Sequence, residues 1–203
     1  MTNSLFTRRQ VLQLTGGAAA VGLAGCTGNQ SGDDSGSEPT TSAESGHSEE
    51  EGGHSEGVGE PTDTAEVTMI TEGEDYHFEP HVVRVTVGGT VTWTNENGSH
   101  STTAYHPDND QPQLVPDGAA SWNSGILSEQ GMTFEHTFET EGVYHYYCTP
   151  HESLGMIGSI IVGDPNPDEQ VALEEPPADK SDQVREKLKE LNTTISEALG
   201  DSH

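Results

Sequence analysis

Cys148 is followed three residues on by His151 and five further by Met156, in the segment YCTPHESLGM. Each residue alone has an ordinary reading. A buried cysteine behaves as a small hydrophobe and a methionine fills core gaps. A histidine in a loop is commonly just solvated. Together, thiolate, imidazole and thioether form a soft-to-intermediate donor set that selects copper, above all Cu(I), over hard cations. Zinc also takes Cys and His, but thioether is a poor zinc ligand. The chain has two cysteines, at positions 26 and 148. A binuclear copper centre, which needs a second cysteine beside the first, is therefore not expected.

Donors of this kind need a rigid element to hold them. In GVYHYYC, period-two alternation puts Tyr144, Tyr146 and Cys148 on one strand face and His145 and Tyr147 on the other. The sulfur then sits at a strand end, pointing into the rim of a core. The loop TPHESLGM, stiffened by Pro150, returns into a second strand, IGSIIV. From Ala65 onward EVTMI, HVVRVTV, TVTWTN and MTFEHTF continue the same grammar of short β-branched or aromatic runs. Glycines and Asn97-Gly98 punctuate them. The pattern predicts an all-β domain, a sandwich or barrel with hairpin and Greek-key links. Its expected core draws on Val83, Val85, Val87, Val91, Trp93, Phe134, Phe138, Tyr144, Tyr146, Ile157 and Ile161. His106 to Ala120 reads as a surface loop.

Two imidazoles and a thiolate in one plane, with a weak axial thioether, make a blue-copper electron-transfer site. Such a site needs one more histidine, from another strand. The chain has 10 histidines. His47 and His54 lie in a low-complexity stretch and His203 at the tail. His145 faces away from Cys148, and His77 and His81 read as exposed beside the start of a strand. His100, His106 and His136 remain. His100 is the first choice, because TVTWTNENGS places it just past a strand and turn, at a sandwich end. His136 also suits a core position and His106 the long loop.

At these residues the chain resembles the plastocyanin-like blue copper proteins, halocyanin-type members of halophilic archaea in particular. The matching stretches are HFEPHVVRVTVGGTVTWTN, GSHSTT, GVYHYYC and CTPHESLGMIGSIIV, over about Ala65 to Asp164. The resemblance implies a cupredoxin-like Greek-key β-sandwich and a single copper ion cycling between Cu(I) and Cu(II). It implies His100, Cys148, His151 and Met156 as ligands, with the Ser101 N–H supporting the sulfur. With protein donors in every position, no place remains for a small-molecule substrate, so an electron carrier and not an enzyme is expected. By the same resemblance, transient redox protein partners would dock near His151, against Pro150, Leu154 and Gly98.

The rest of the chain carries the address. Of 203 residues, 35 are Asp or Glu and seven Lys or Arg. No basic stripe exists for nucleic acid; the acidity suits a surface adapted to high salt. Residues 1–26 read as an export signal with paired Arg8 and Arg9 and a lipobox-like LAGC ending. Cys26 is the expected lipidation site, anchoring the protein to the outer face of the cell membrane. Residues 27–64 read as a disordered acidic tether, 165–180 as a linker, and 181–199 as an amphipathic helix from Val184, Leu188, Leu191, Ile195 and Leu199. Two other functions fit less of the chain. One is a copper-handling lipoprotein that binds or delivers the metal; the other is an interaction module working through the helix.

Overall fold

The structure, a computed structural model, describes residues 58–200. The signal, lipobox and most of the tether, with Cys26, His47 and His54, lie outside the described residues, as does His203. The described strands are β1 (Thr62–Glu72), β2 (Asp75–Glu79), β3 (Val82–Asn95), β4 (Thr103–Ala104), β5 (Thr133–Phe138), β6 (Gly142–Tyr147) and β7 (Ile157–Val162). One helix follows, α1 (Asp182–Gly200).

The long strand β3 organises the sheet by changing partners along its length. Its first part, Val82–Val85, runs parallel to β7. Its second part, from Gly89 on, pairs parallel with β1 and antiparallel with β5. The strand order is β2-β1-β3-β7-β6-β4, with β5 on β3. The turnover falls at Gly88-Gly89. A Cβ on Gly89 would sit 2.8 Å from the Thr86 carbonyl and 2.9 Å from Val85 Cβ, so only glycine lets the chain pass here.

The apolar residues of the two halves meet in one core. Val67, Met69, Phe78, Val85, Val91, Trp93, Phe138, Tyr144, Tyr146, Ile160 and Val162 are all essentially inaccessible to solvent. Trp122 and Leu127, on the long connection between β4 and β5, close it; Trp122 lies 5.9 Å from the Trp93 ring. Three expected core positions come out differently. Val87 is 52% exposed, because it lies in the gap between the β7 pairing, which ends at Val85, and the β5 pairing, which begins at Gly89. Ile157 and Ile161 are buried, but on the opposite face of β7, in a second cluster.

That second cluster is the seat of α1. Val184, Leu188, Leu191, Ile195 and Leu199 lie in one stripe, spaced four, three, four and four residues apart. They pack on Val143 and Tyr147 of β6 and on Ile157 and Ile161 of β7. Strands β6 and β7 are therefore buried on both faces. His145, facing away from Cys148 as its position in the strand requires, lies beneath the helix. Its Nδ1 is 2.7 Å from Ser159 Oγ, and its Nε2 is 3.0 Å from the Ala172 carbonyl and 2.9 Å from Asn192 Oδ1. The helix also alters the expectation for His77 and His81. Both are half-buried rather than exposed, in a recess of about 560 Å³ between β2 and the α1 residues Gln183, Glu186, Lys187 and Glu190.

Candidate metal centre

β6 delivers Cys148 to the end of the core. The residue is fully buried, and its N–H donates to the Met156 carbonyl at 3.0 Å, which closes the loop between β6 and β7. Inside that loop the His151 N–H bonds the Cys148 carbonyl at 3.0 Å, and the Met156 N–H bonds the His151 carbonyl at 3.2 Å. A 3₁₀ turn, Glu152–Leu154, ends at Gly155 in the left-handed region, φ 86°. Thus three of the sequence's candidate residues ride on one loop with its own hydrogen-bond frame. Met156 is fully buried in the same cluster as Cys148, Phe78 and Tyr146.

His100 reaches the same place from β3. Its N–H and carbonyl pair with Leu127 at 3.1 and 2.7 Å, which pins it as strand-like backbone. The turn before it is tied by Asn95, whose buried side-chain amide lies 3.2 Å from the Gly98 carbonyl and 3.1 Å from that of Leu127. Thr71 Oγ1 holds His100 Nε2 at 3.0 Å. Gly98, φ 79°, is needed beside this contact: a Cβ there would meet Thr71 Oγ1 at 2.5 Å and His100 Nε2 at 3.0 Å. With Nε2 engaged, Nδ1 is the atom turned to the sulfur.

The donor atoms converge. His100 Nδ1 is 3.7 Å and His151 Nδ1 3.4 Å from Cys148 Sγ. One atom from each of His100, Cys148 and His151 lies within 4.8 Å of the other two. A first-row metal bound to sulfur and nitrogen at about 2.3 and 2.0 Å separates them by roughly 3.5–3.8 Å, so the residues fit such an ion. The backbone N–H of Ser101 donates to Sγ at 3.3 Å. His106 instead caps a 3₁₀ turn, accepting the Asp108 N–H at 3.0 Å. His136 is stacked on Trp122 at 4.9 Å. Neither is among the converging donors.

The electrostatics suit soft-metal binding. Burial, joined by the neighbouring His151, pulls His100 down to about 4. Burial also lowers His151. Both rings are then neutral near pH 7, with lone pairs available. Burial pushes the Cys148 thiol up, partly offset by the Ser101 N–H; metal binding is what would release that proton.

Several contacts around the donors had no signal in the sequence. Tyr76 stacks on His151 with ring centroids 3.9 Å apart and planes 19° from parallel. The Thr149 N–H donates to Ser101 Oγ at 2.8 Å, and Ser101 Oγ lies 3.0 Å from Thr149 Oγ1. The residues following His100 and Cys148 thus tie the two donor segments together. Around His151, itself half-buried, Pro150, Leu154 and Gly98 are exposed.

Residues 65–163 match the family model for copper binding proteins of the plastocyanin/azurin family. Halocyanin from Natronomonas pharaonis is 36% identical over 109 residues, which span 52% of this chain and 61% of halocyanin's own length. Plastocyanin from Scenedesmus fuscus is 36% identical over 88 residues, 42% of this chain and 85% of the plastocyanin. Among solved structures, pseudoazurin from Methylobacterium extorquens AM1 superposes with a TM-score of 0.54 at 24% identity, over 66% of this chain and 99% of that one. This last likeness speaks for the fold. The chain belongs to the plastocyanin/azurin family of copper-binding proteins, and its fold is the cupredoxin sandwich. The cofactor of that family is a single copper ion, which the His-Cys-His cluster suits.

Proposed function

We propose that this protein is a type 1 (blue) copper electron carrier held at the outer face of the cell membrane by a lipid on Cys26. In this reading His100 Nδ1, Cys148 Sγ, His151 Nδ1 and Met156 hold the copper, which when bound supplies a one-electron Cu(II)/Cu(I) couple. The observation that carries the reading is the convergence on one buried sulfur of two imidazole nitrogens and the Ser101 N–H.

The chain's own residues do the rest. The fixed backbone of β6, β7 and the His100–Leu127 pair keeps the donors from rearranging between oxidation states, so little reorganisation accompanies transfer. Ser101 stabilises the thiolate by its N–H. Thr71 fixes the His100 ring so that the correct nitrogen faces the sulfur. Burial of Cys148, His100 and Met156 excludes water. His151, the half-buried donor, is the exit for the electron, ringed by Pro150, Leu154 and Gly98. A small apolar patch suits brief redox encounters. Partners are redox proteins; no small-molecule substrate is required. No helix among the described residues is long and apolar enough to cross a membrane, and the proposed anchor, Cys26, lies outside them.

The test is the visible spectrum of copper-loaded protein beside Cys148→Ser. The expected result is an intense blue thiolate band that the variant lacks. His100→Ala should lose it too, while His106→Ala and His136→Ala keep it. A colourless wild type after incubation with a cupric salt overturns the reading. A copper donor, unlike a carrier, would surrender Cu(I) readily to a competing chelator.

A further inference from the structure

The copper loop is gripped from outside the sandwich. Lys180, just before α1, donates to Glu152 Oε1 at 2.6 Å and to Gln111 Oε1. The Tyr105 hydroxyl donates to the same Glu152 oxygen at 3.0 Å, and the Lys180 ammonium stands 5.2 Å above the Tyr105 ring. The Lys180 and Glu152 side chains are only 14% and 21% exposed. Gln183, in the first turn of α1, donates from Nε2 to the Leu154 carbonyl at 2.8 Å. Its side chain also lies over Gly155. Glu152 directly follows His151, so these contacts bracket the loop that carries it.

Adhesion of the helix does not need them. Five buried aliphatic residues already seat α1 on β6 and β7. A buried ion pair adds little net stability, since desolvation offsets attraction, and its better-attested use is to fix one arrangement among several. The chain has only seven Lys and Arg residues, and one of them is spent under this loop. We propose that the C-terminal segment is a strap, with Lys180 and Gln183 as positioning residues that hold the His151 loop in its metal-ready conformation. The positioning role rests on the ligand reading of His151; the restraint of the loop does not.

Two measurements on the full-length chain separate these claims. Hydrogen exchange of the copper-free protein reads the loop through the Leu154 and Gly155 amides, bonded to the His151 and Glu152 carbonyls. In Lys180→Met they should exchange about tenfold faster, the scale of one lost charge-assisted hydrogen bond, while β6 and β7 amides keep wild-type rates. On the copper-loaded protein, electron self-exchange should fall about threefold or more and the blue band should shift. Gln183→Ala, at an exposed position, should do the same more weakly, and serves if Lys180→Met does not fold. Loop amides unchanged in a folded variant overturn the strap. A looser loop with unaltered spectrum and self-exchange overturns the positioning role. If wild-type protein takes up no copper, the ligand reading and the positioning role fall together, and the exchange data still decide whether the strap restrains the loop.

Discussion

The smallest parts of the centre to carry testable consequences are the Ser101 hydroxyl and the Tyr76 ring. Ser101 Oγ is the acceptor for the Thr149 N–H. Ser101→Ala leaves that donor without its partner, and the expected cost is about 1–2 kcal/mol, read by chemical denaturation of the copper-free protein. The N–H to sulfur bond survives the substitution, so the blue band should persist with a changed reduction potential. Tyr76→Leu keeps apolar bulk over His151 and removes the ring. Loss of the stack should cost about 0.5–1.5 kcal/mol and alter the potential; identical denaturation curves and voltammograms would make the stack idle. These residues mark where sequence reading stops. The spacing of Cys148, His151 and Met156 is local, so it is visible in the chain. Tyr76 meets His151 across 75 positions, and no periodicity encodes that meeting. The choice of His100 could be made because a strand and turn precede it; the roles of Thr71 and Thr149 depend on contacts between segments.

At the scale of elements, α1 is the part whose existence was plain and whose seat was not. Its aliphatic stripe has helical period, but its receptor is the outer face of β6 and β7, read as Val143, His145, Tyr147 and Ile157, Ser159, Ile161. A histidine and a serine interrupt those rows, so no continuous apolar face announces a covering helix, and Ile157 and Ile161 read as part of the one expected sandwich core. Leu188→Ala should destabilise the protein by roughly 2–5 kcal/mol, measured as a drop in denaturation midpoint. His145 sets a pH dependence. Complete burial pulls it down to about 4 against an ordinary 6.5. Between those values the unfolded chain binds the proton and the folded one does not, so stability falls as pH falls through this window. The full effect of this one residue is about 3 kcal/mol, complete once the pH is below 4. His145→Gln should show a flatter curve between pH 6.5 and 4 than wild type. Equal slopes would mean the ring is protonated, or reaches water, in the folded state.

For the whole molecule, a formal charge of -28 dominates. Self-repulsion at this charge weakens the compact state, and salt relieves it. At 1 M salt the screening length is about 3 Å. The thermal midpoint should therefore rise on going from 0.1 M to 2 M KCl, by roughly 3 °C or more, the shift that about 1 kcal/mol produces in a domain of this size. A midpoint that stays level would show that the acidic surface is not self-repelling enough to matter. Charge was legible without a structure, since it is a sum over the chain. Which of the few cations is placed at the His151 loop was not. One further feature makes the protein its own instrument. Cys148 is the single free thiol among the described residues, and it is shut off from solvent. In metal-free protein a coloured thiol reagent in large excess can react there only when the rim opens. Labelling kinetics across denaturant would then clock whether the rim breathes alone or yields only when the sandwich comes apart.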